Sequence, residues 1–158
     1  MTDRAATADL PAAPEAATRT AAKRRLLRAA TIAVALIAGL LDWLVCTKII
    51  GMQLIVDQGA GPTAVLPALV AAAPILSGLS GWALLAILER ATPARATRIW
   101  RIVAVIVMIL SLYSPITAAT STPTAIALVS MHLVVGAILI IGLPRPRLVS
   151  GKTRYGAS

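Results

Sequence analysis

The stretch "KRRLLRAATIAVALIAGLLDWLVCTKII" at residues 23–50 decides the fold, because a short basic cluster leads into an almost unbroken apolar run over residues 29–50. At about 1.5 Å per residue, a helix over this run is long enough to cross the roughly 30 Å hydrocarbon layer of a membrane. Backbone N–H and C=O groups find no water inside lipid, so a single run of this length satisfies them only as a helix. The stretch therefore predicts a membrane-spanning helix.

Three further apolar runs repeat this pattern at residues 63–88, 102–119 and 125–143. Each is long enough to cross the bilayer as a helix. The sequence thus predicts an all-α fold, an integral membrane four-helix bundle with up-down-up-down topology over residues 23–147. Residues 1–22 carry no apolar periodicity and predict a disordered cytoplasmic tail, and residues 148–158 predict a flexible cytoplasmic tail.

The composition agrees with a membrane protein. Apolar residues make up 58% of the chain, charged residues only 13%, and the mean hydropathy is +0.86, whereas about a quarter of the residues in soluble domains are charged. The net charge of +9 would suit nucleic acid, but proteins of that class present basic residues and stacking aromatics on an aqueous face. Aromatic residues are 3% of this chain, and we expect no nucleic-acid partner.

The basic residues predict the orientation of the spans. Apart from Lys48, they precede the first run, separate the second run from the third, or follow the fourth: Arg4, Arg19, Lys23, Arg24, Arg25, Arg28, Arg90, Arg95, Arg98, Arg101, Arg145, Arg147, Lys152 and Arg154. Cytoplasmic loops of membrane proteins carry the excess of Lys and Arg. Both termini are therefore predicted to be cytoplasmic, in a multi-pass protein of the inner (plasma) membrane.

A cleaved signal peptide is the alternative reading of the first run. Asp42 interrupts its apolar core, and no Ala-x-Ala pattern follows it. Lipoprotein processing at Cys46 is disfavoured as well, because Val45 stands where a small residue is preferred. The sequence favours a retained span.

Asp42 lies within the first span, where an acid costs about 2.5–3.5 kcal/mol on insertion scales. Its helical face, at steps of three and four, contains Ala35, Gly39 and Cys46. Small residues on that face let a neighbouring helix approach, so Asp42 is predicted to face protein. Lys48 lies about 120° from Asp42 around the helix and is predicted to reach the outer headgroups.

His132 lies at about the same depth as Asp42 when each is counted from the outer end of its run. The first and last helices of such a bundle are neighbours, and Gly136, one turn from His132, would allow close approach. We predict an intramembrane polar pair of Asp42 and His132. A pair of this kind clasps two helices together or relays protons, and the sequence leaves both roles open.

Two prolines predict irregular helix in the same outer half of the bundle. Pro115 would leave the carbonyl of Ser111 without its helical donor, close to Ser114, and Pro74 has the same effect in the second span. Freed carbonyls and hydroxyls at one depth indicate a water-accessible cavity. Its predicted lining residues are Pro74, Ser111, Ser114 and Pro115.

The predicted inner loop contains Arg95, Arg98 and Arg101 at a spacing of three, which places them on one helical face. Their guanidinium groups are predicted to contact anionic lipid headgroups. Cys46 is the one cysteine in the chain. Disulfide exchange within the chain, which needs an attacking and a resolving sulfur, is therefore excluded.

Three motifs carry a family resemblance: "GWALLAILER" at 81–90, "SLYSPITAATSTPT" at 111–124, and above all "MHLVVGAILIIGL" at 131–143. Over roughly residues 25–147, the chain resembles a group of small four-span actinobacterial proteins known as a domain of unknown function. The resemblance implies an integral membrane protein. It implies no activity, ligand or partner, and it carries no functional residues over to this chain.

Two functional hypotheses follow from the sequence. The first is a non-catalytic multi-pass protein, an accessory or structural component of the cell membrane, because no nucleotide loop, metal cluster or catalytic constellation is recognisable. The expected partners are the lipid bilayer and either a second copy or a larger membrane complex, with no cofactor. The alternative is a small proton-coupled transporter or channel that uses the Asp42 and His132 pair.

Overall fold

The computed structural model describes residues 13–144, and describes side chains over 18–144. Helix α1 runs over Ala13–Leu44 and ends in a π-helical turn at Val45–Ile49. A hairpin of β1 (Ile55–Asp57) and β2 (Pro62–Ala64) follows, and then α2 (Pro67–Ala91). The chain continues through α3 (Ala96–Ser111), the short α4 (Tyr113–Ala118) and α5 (Thr122–Gly142). Within the described part, the fold is four long helices and one small hairpin.

Four helical stretches are long and apolar enough to cross a membrane: Thr18–Ile49, Pro67–Ala91, Ala96–Ala118 and Thr122–Gly142. They confirm the predicted all-α class and the presence of four helices long and apolar enough to span. Large apolar side chains cover the outside of the bundle, and Leu110 is 68% exposed and Ile141 75%. Soluble monomers rarely expose apolar surface on this scale, so these side chains fit a lipid environment.

The observed boundaries differ from the predicted ones; the third and fourth runs, for example, begin earlier, at Ala96 and Thr122. Helix α1 begins at Ala13, so residues 13–22 are helical where the sequence predicted a disordered tail. Alanine is the best helix former, and extending a helix that already exists needs no new nucleus. Residues 1–12 and the predicted tail at 148–158 lie outside the described residues. The second span begins at Pro67, not at residue 63, because Thr63 belongs to β2.

The four spans pack as a bundle in which α1 contacts α2 and α5, and α3 contacts the same two helices. Contacts join Arg28 of α1 to Glu89 near the end of α2, and Thr31 of α1 to Gly142 at the end of α5. The predicted packing face of α1 is confirmed, since Ala35, Gly39 and Cys46 are buried. We call the end that contains Arg28 and Glu89 the basic end, and the opposite end the hairpin end.

The hairpin is the part of the fold that the sequence analysis missed. The Asp57 carboxylate accepts hydrogen bonds from the backbone N–H of Gly59 (2.8 Å) and of Gly61 (3.2 Å). Both glycines have positive φ, +91° and +98°, which other residues adopt only with strain. The backbone of Thr120 then donates to the carbonyl of Ile55 (3.2 Å). The hairpin is thus tied to the connection between α4 and α5.

Helix α3 stops at Ser111, and α4 begins after Leu112. Proline at Pro115 has no N–H to donate to the carbonyl of Ser111, which accounts for the break. In α2, by contrast, Pro74 lies inside a continuous helix. The two prolines therefore have different effects on their helices.

Candidate functional site

A cavity of about 630 Å³ lies between α2, α3, α4 and α5. Gly39 of α1 and the hairpin residues Val56 and Gln58 complete its wall. Most of the other lining residues are aliphatic, so the wall is predominantly apolar. We call this space the ligand cavity.

The four residues predicted to line a cavity, Pro74, Ser111, Ser114 and Pro115, all lie on the wall of the ligand cavity. Its polarity is lower than the sequence suggested. The hydroxyl of Ser111 donates to the carbonyl of Met108 in its own helix (2.7 Å), and that of Ser77 donates to the carbonyl of Ala73 (2.6 Å). Hydroxyls satisfied in this way offer the cavity few free donors.

His132 is half-buried and lies on the wall of the ligand cavity. Its Nδ1 is 2.8 Å from the carbonyl oxygen of Leu128, one turn earlier in α5. A carbonyl oxygen only accepts, so Nδ1 carries the proton in this contact. In the neutral ring Nε2 is then an acceptor, and it has no hydrogen-bond partner among the described residues. The imidazole therefore adds one polar site to an apolar wall.

Asp42 has partners other than the predicted one. Its Oδ2 accepts from the hydroxyl of Ser130 (3.1 Å), and its Oδ1 lies 3.7 Å from Sγ of Cys46. The same Ser130 hydroxyl is 2.8 Å from the carbonyl of Ala127. One hydroxyl has one proton, so Ser130 donates to the two acceptors alternately or shares the proton between them.

No ion pair or hydrogen bond joins Asp42 to His132 within the described residues, so the structure does not bring the predicted pair to hydrogen-bond distance. His132 comes two positions after Ser130, which is a rotation of about 200° around the helix. Because Ser130 faces α1, His132 faces another helix. The matching depths placed both groups in one layer of the bundle but did not fix their directions.

Gly136 identifies the helix that His132 faces. A Cβ added to Gly136 would lie 2.7 Å from Sδ of Met108 in α3. His132 and Gly136 share a face one turn apart, so this face of α5 packs on α3 and the ligand cavity, not on α1. The transporter hypothesis depended on an Asp42–His132 contact, and it loses that step.

The basic end contains an ion pair that the sequence analysis missed. Nη2 of Arg28 donates to Oε1 of Glu89 at 2.5 Å, and the Arg28 side chain is 8% exposed. The signal was present in the sequence, because Arg28 directly precedes the first predicted span and Glu89 directly follows the second. When two neighbouring helices run antiparallel, the start of the first and the end of the second lie at the same depth, which places Arg28 beside Glu89.

Arg95, Arg98 and Arg101 are exposed at the start of α3, as headgroup contact requires. Ala96 and Trp100 are buried in this segment, and Nε1 of Trp100 donates to the carbonyl of Gly81 in α2 (2.8 Å). The segment is thereby anchored to the bundle while its arginines stay outside. Over 13–144, no group of three or more His, Cys, Asp or Glu is arranged to hold a metal ion.

The family of unknown function DUF6069 matches residues 19–148. The chain belongs to DUF6069. The match covers all four candidate spans of this DUF6069 chain and confirms the resemblance to a family of unknown function. Neither a curated protein nor a solved structure matches the DUF6069 chain.

Proposed function

We propose that this DUF6069 chain is a non-catalytic, multi-pass protein of the inner (plasma) membrane that holds the apolar chain of a bilayer lipid in its ligand cavity. It acts as an accessory or structural component of that membrane. The observation that carries the proposal is the 630 Å³ cavity with an apolar wall inside the spanning part of the bundle. Both termini are cytoplasmic in this proposal.

The size of the cavity suits a lipid chain. Small-molecule sites have volumes of about 300–1,000 Å³. An apolar cavity of about 150 Å³ stays dry and binds benzene, and the ligand cavity has roughly four times that volume. Lipid surrounds the spans on every side, so hydrocarbon chains are the most abundant apolar ligand within reach.

The polar groups on the wall set the orientation of the ligand. Ser77 and Ser111 are satisfied within their own helices, whereas Nε2 of His132 is free to accept a hydrogen bond. A ligand hydroxyl beside an otherwise apolar chain would match this acceptor. The bilayer is thus the primary partner, and a second copy or a larger membrane complex is the expected protein partner.

The distribution of charge supports the proposed orientation. Arg24, Arg25, Arg28 and Arg90 lie at the basic end, while Lys48 is exposed in the last turn before the hairpin end. An excess of basic residues marks the cytoplasmic side of membrane proteins.

Filling the cavity tests the proposal. In Ser111→Phe, an aromatic ring would enter the ligand cavity, and we expect the purified protein to lose the lipid that the wild type retains. Native mass spectrometry of the full chain released from gentle detergent counts bound lipid directly, and extraction then identifies it.

Ile109→Phe is the matched control, because Ile109 lies on the same helix, is 60% exposed and does not line the cavity. It should retain lipid as the wild type does. A wild type that carries no tightly bound lipid, or equal retention in both variants, contradicts the proposal.

A further inference from the structure

A second cavity, of about 500 Å³, lies at the basic end between residues 21–28 of α1 and the last turns of α2. Its charged and aromatic lining residues are Arg24, Arg25, Arg28, Trp82, Glu89 and Arg90. It shares no lining residue with the ligand cavity. We call it the arginine pocket, and nothing in the proposed function uses it.

The arginine pocket has an excess of positive charge. Its one acid, Glu89, is paired with Arg28. Arg24, Arg25 and Arg90 form no ion pair within the described part of the chain. Like charges held together at a membrane surface attract anions, and each Lys or Arg there contributes separately to anionic lipid binding.

Arg28 supplies the second, independent observation. Its side chain is 8% exposed, and its Nε is buried with no hydrogen-bond partner among residues 18–144. Buried donors in native proteins nearly always have partners. Arginine has five N–H donors in a planar fork that matches two oxygens of a phosphate, and Glu89 takes only one of them. Nε itself has no open surface, so an anion in the pocket would be bound through the Nη groups of Arg28 that Glu89 leaves unpaired.

Trp82 adds an interfacial donor to the pocket. It is half-buried, and its indole N–H has no hydrogen bond within the described residues, unlike those of Trp43 and Trp100. Tryptophan is enriched at the level of lipid headgroups, where its ring lies in apolar surroundings and its N–H reaches a polar acceptor.

The geometry points to a phosphate-binding site in the arginine pocket, which takes the phosphate of an anionic lipid headgroup or of a soluble phosphorylated ligand. The shared chemistry is an oxyanion with several acceptor oxygens beside four guanidinium groups. This inference is independent of the lipid chain proposed for the ligand cavity, because the two sites have separate walls.

The test uses the purified full chain in detergent and three probes: phosphatidylglycerol, zwitterionic phosphatidylcholine and inorganic phosphate. Arg25→Gln/Arg90→Gln removes one exposed arginine of the pocket from each helix. Arg19→Gln/Lys23→Gln removes the same charge from exposed positions of α1 outside the pocket. Binding is measured by native mass spectrometry and by the shift in thermal unfolding.

We expect the pocket variant to bind phosphatidylglycerol at least about tenfold more weakly than the wild type, and the control variant to bind it nearly as well. Tighter binding of phosphatidylglycerol than of inorganic phosphate assigns the site to a headgroup. Binding of inorganic phosphate that depends on the pocket, without a preference for the lipid, assigns it to a soluble ligand. Equal loss in both variants, or no preference over phosphatidylcholine, overturns the site.

Discussion

At the scale of single residues, the direction of a side chain around its helix decides which groups meet. Ser130 and His132 lie in the same helix at nearly the same depth, yet Ser130 donates to Asp42 while His132 lies on the wall of the ligand cavity. An acid near the middle of a span needs a partner, and a serine hydroxyl is sufficient for this one.

The contact between Asp42 and Ser130 can be measured with a double-mutant cycle. We expect Asp42→Ala and Ser130→Ala to couple by about 0.6 kcal/mol, and by no more than roughly 1.7 kcal/mol, the range found for hydrogen bonds between membrane helices. The cycle of Asp42→Ala with His132→Ala is the control and should show coupling near zero. Unfolding in detergent gives both values, and a larger coupling in the second cycle would favour the predicted pair of Asp42 and His132 instead.

At the scale of elements, α1 and α2 approach each other closely at Gly78. A Cβ added there would lie 2.7 Å from Cγ1 of Ile32, a core residue that is 8% exposed. Ile32 has little space into which it can move, so larger side chains at position 78 must push the helices apart.

Gly78→Val should therefore lower the free energy of unfolding by about 1–3 kcal/mol, the usual cost of overpacking a core. Ala83→Val lies on the same helix at an exposed position and should change it far less. Thermal unfolding of the two variants in one detergent makes the comparison. An equal effect of the two substitutions would show that the helices do not pack at Gly78.

The hairpin shows what the sequence leaves hidden at this scale. Its strands are three residues each, Ile55–Asp57 and Pro62–Ala64, too short for an alternating pattern to stand out from a loop. The combination of Asp57 with Gly59 and Gly61 was a turn signal. A turn signal, however, does not reveal that the carbonyl of Ile55 accepts a hydrogen bond from Thr120, which lies in the connection between α4 and α5.

At the scale of the whole molecule, the number of spans could be predicted because one requirement dominates. Backbone groups in lipid must bond within their own helix, so apolar runs of sufficient length identify the helices before any contact is known. The sequence could also predict Pro74 and Pro115 as cavity residues, because the effect of a proline on its helix is local. The sequence indicated the packing face of α1 from its small residues, but it did not reveal which face of α5 meets it, because that depends on rotation of each helix about its axis.

The central claim is that a lipid chain occupies the ligand cavity, and Trp100 allows the most direct test. Trp100 lines the cavity and is otherwise buried, with 2% of its surface exposed, so its fluorescence reports on what occupies the cavity when the cavity is compared open and filled. The measurement is the fluorescence of Trp43→Phe/Trp82→Phe, in which Trp100 is the one remaining tryptophan, in vesicles of phosphatidylcholine with brominated chains. The account predicts strong quenching relative to ordinary phosphatidylcholine, and weaker quenching once Ser111→Phe fills the cavity; quenching that Ser111→Phe leaves unchanged would contradict the account.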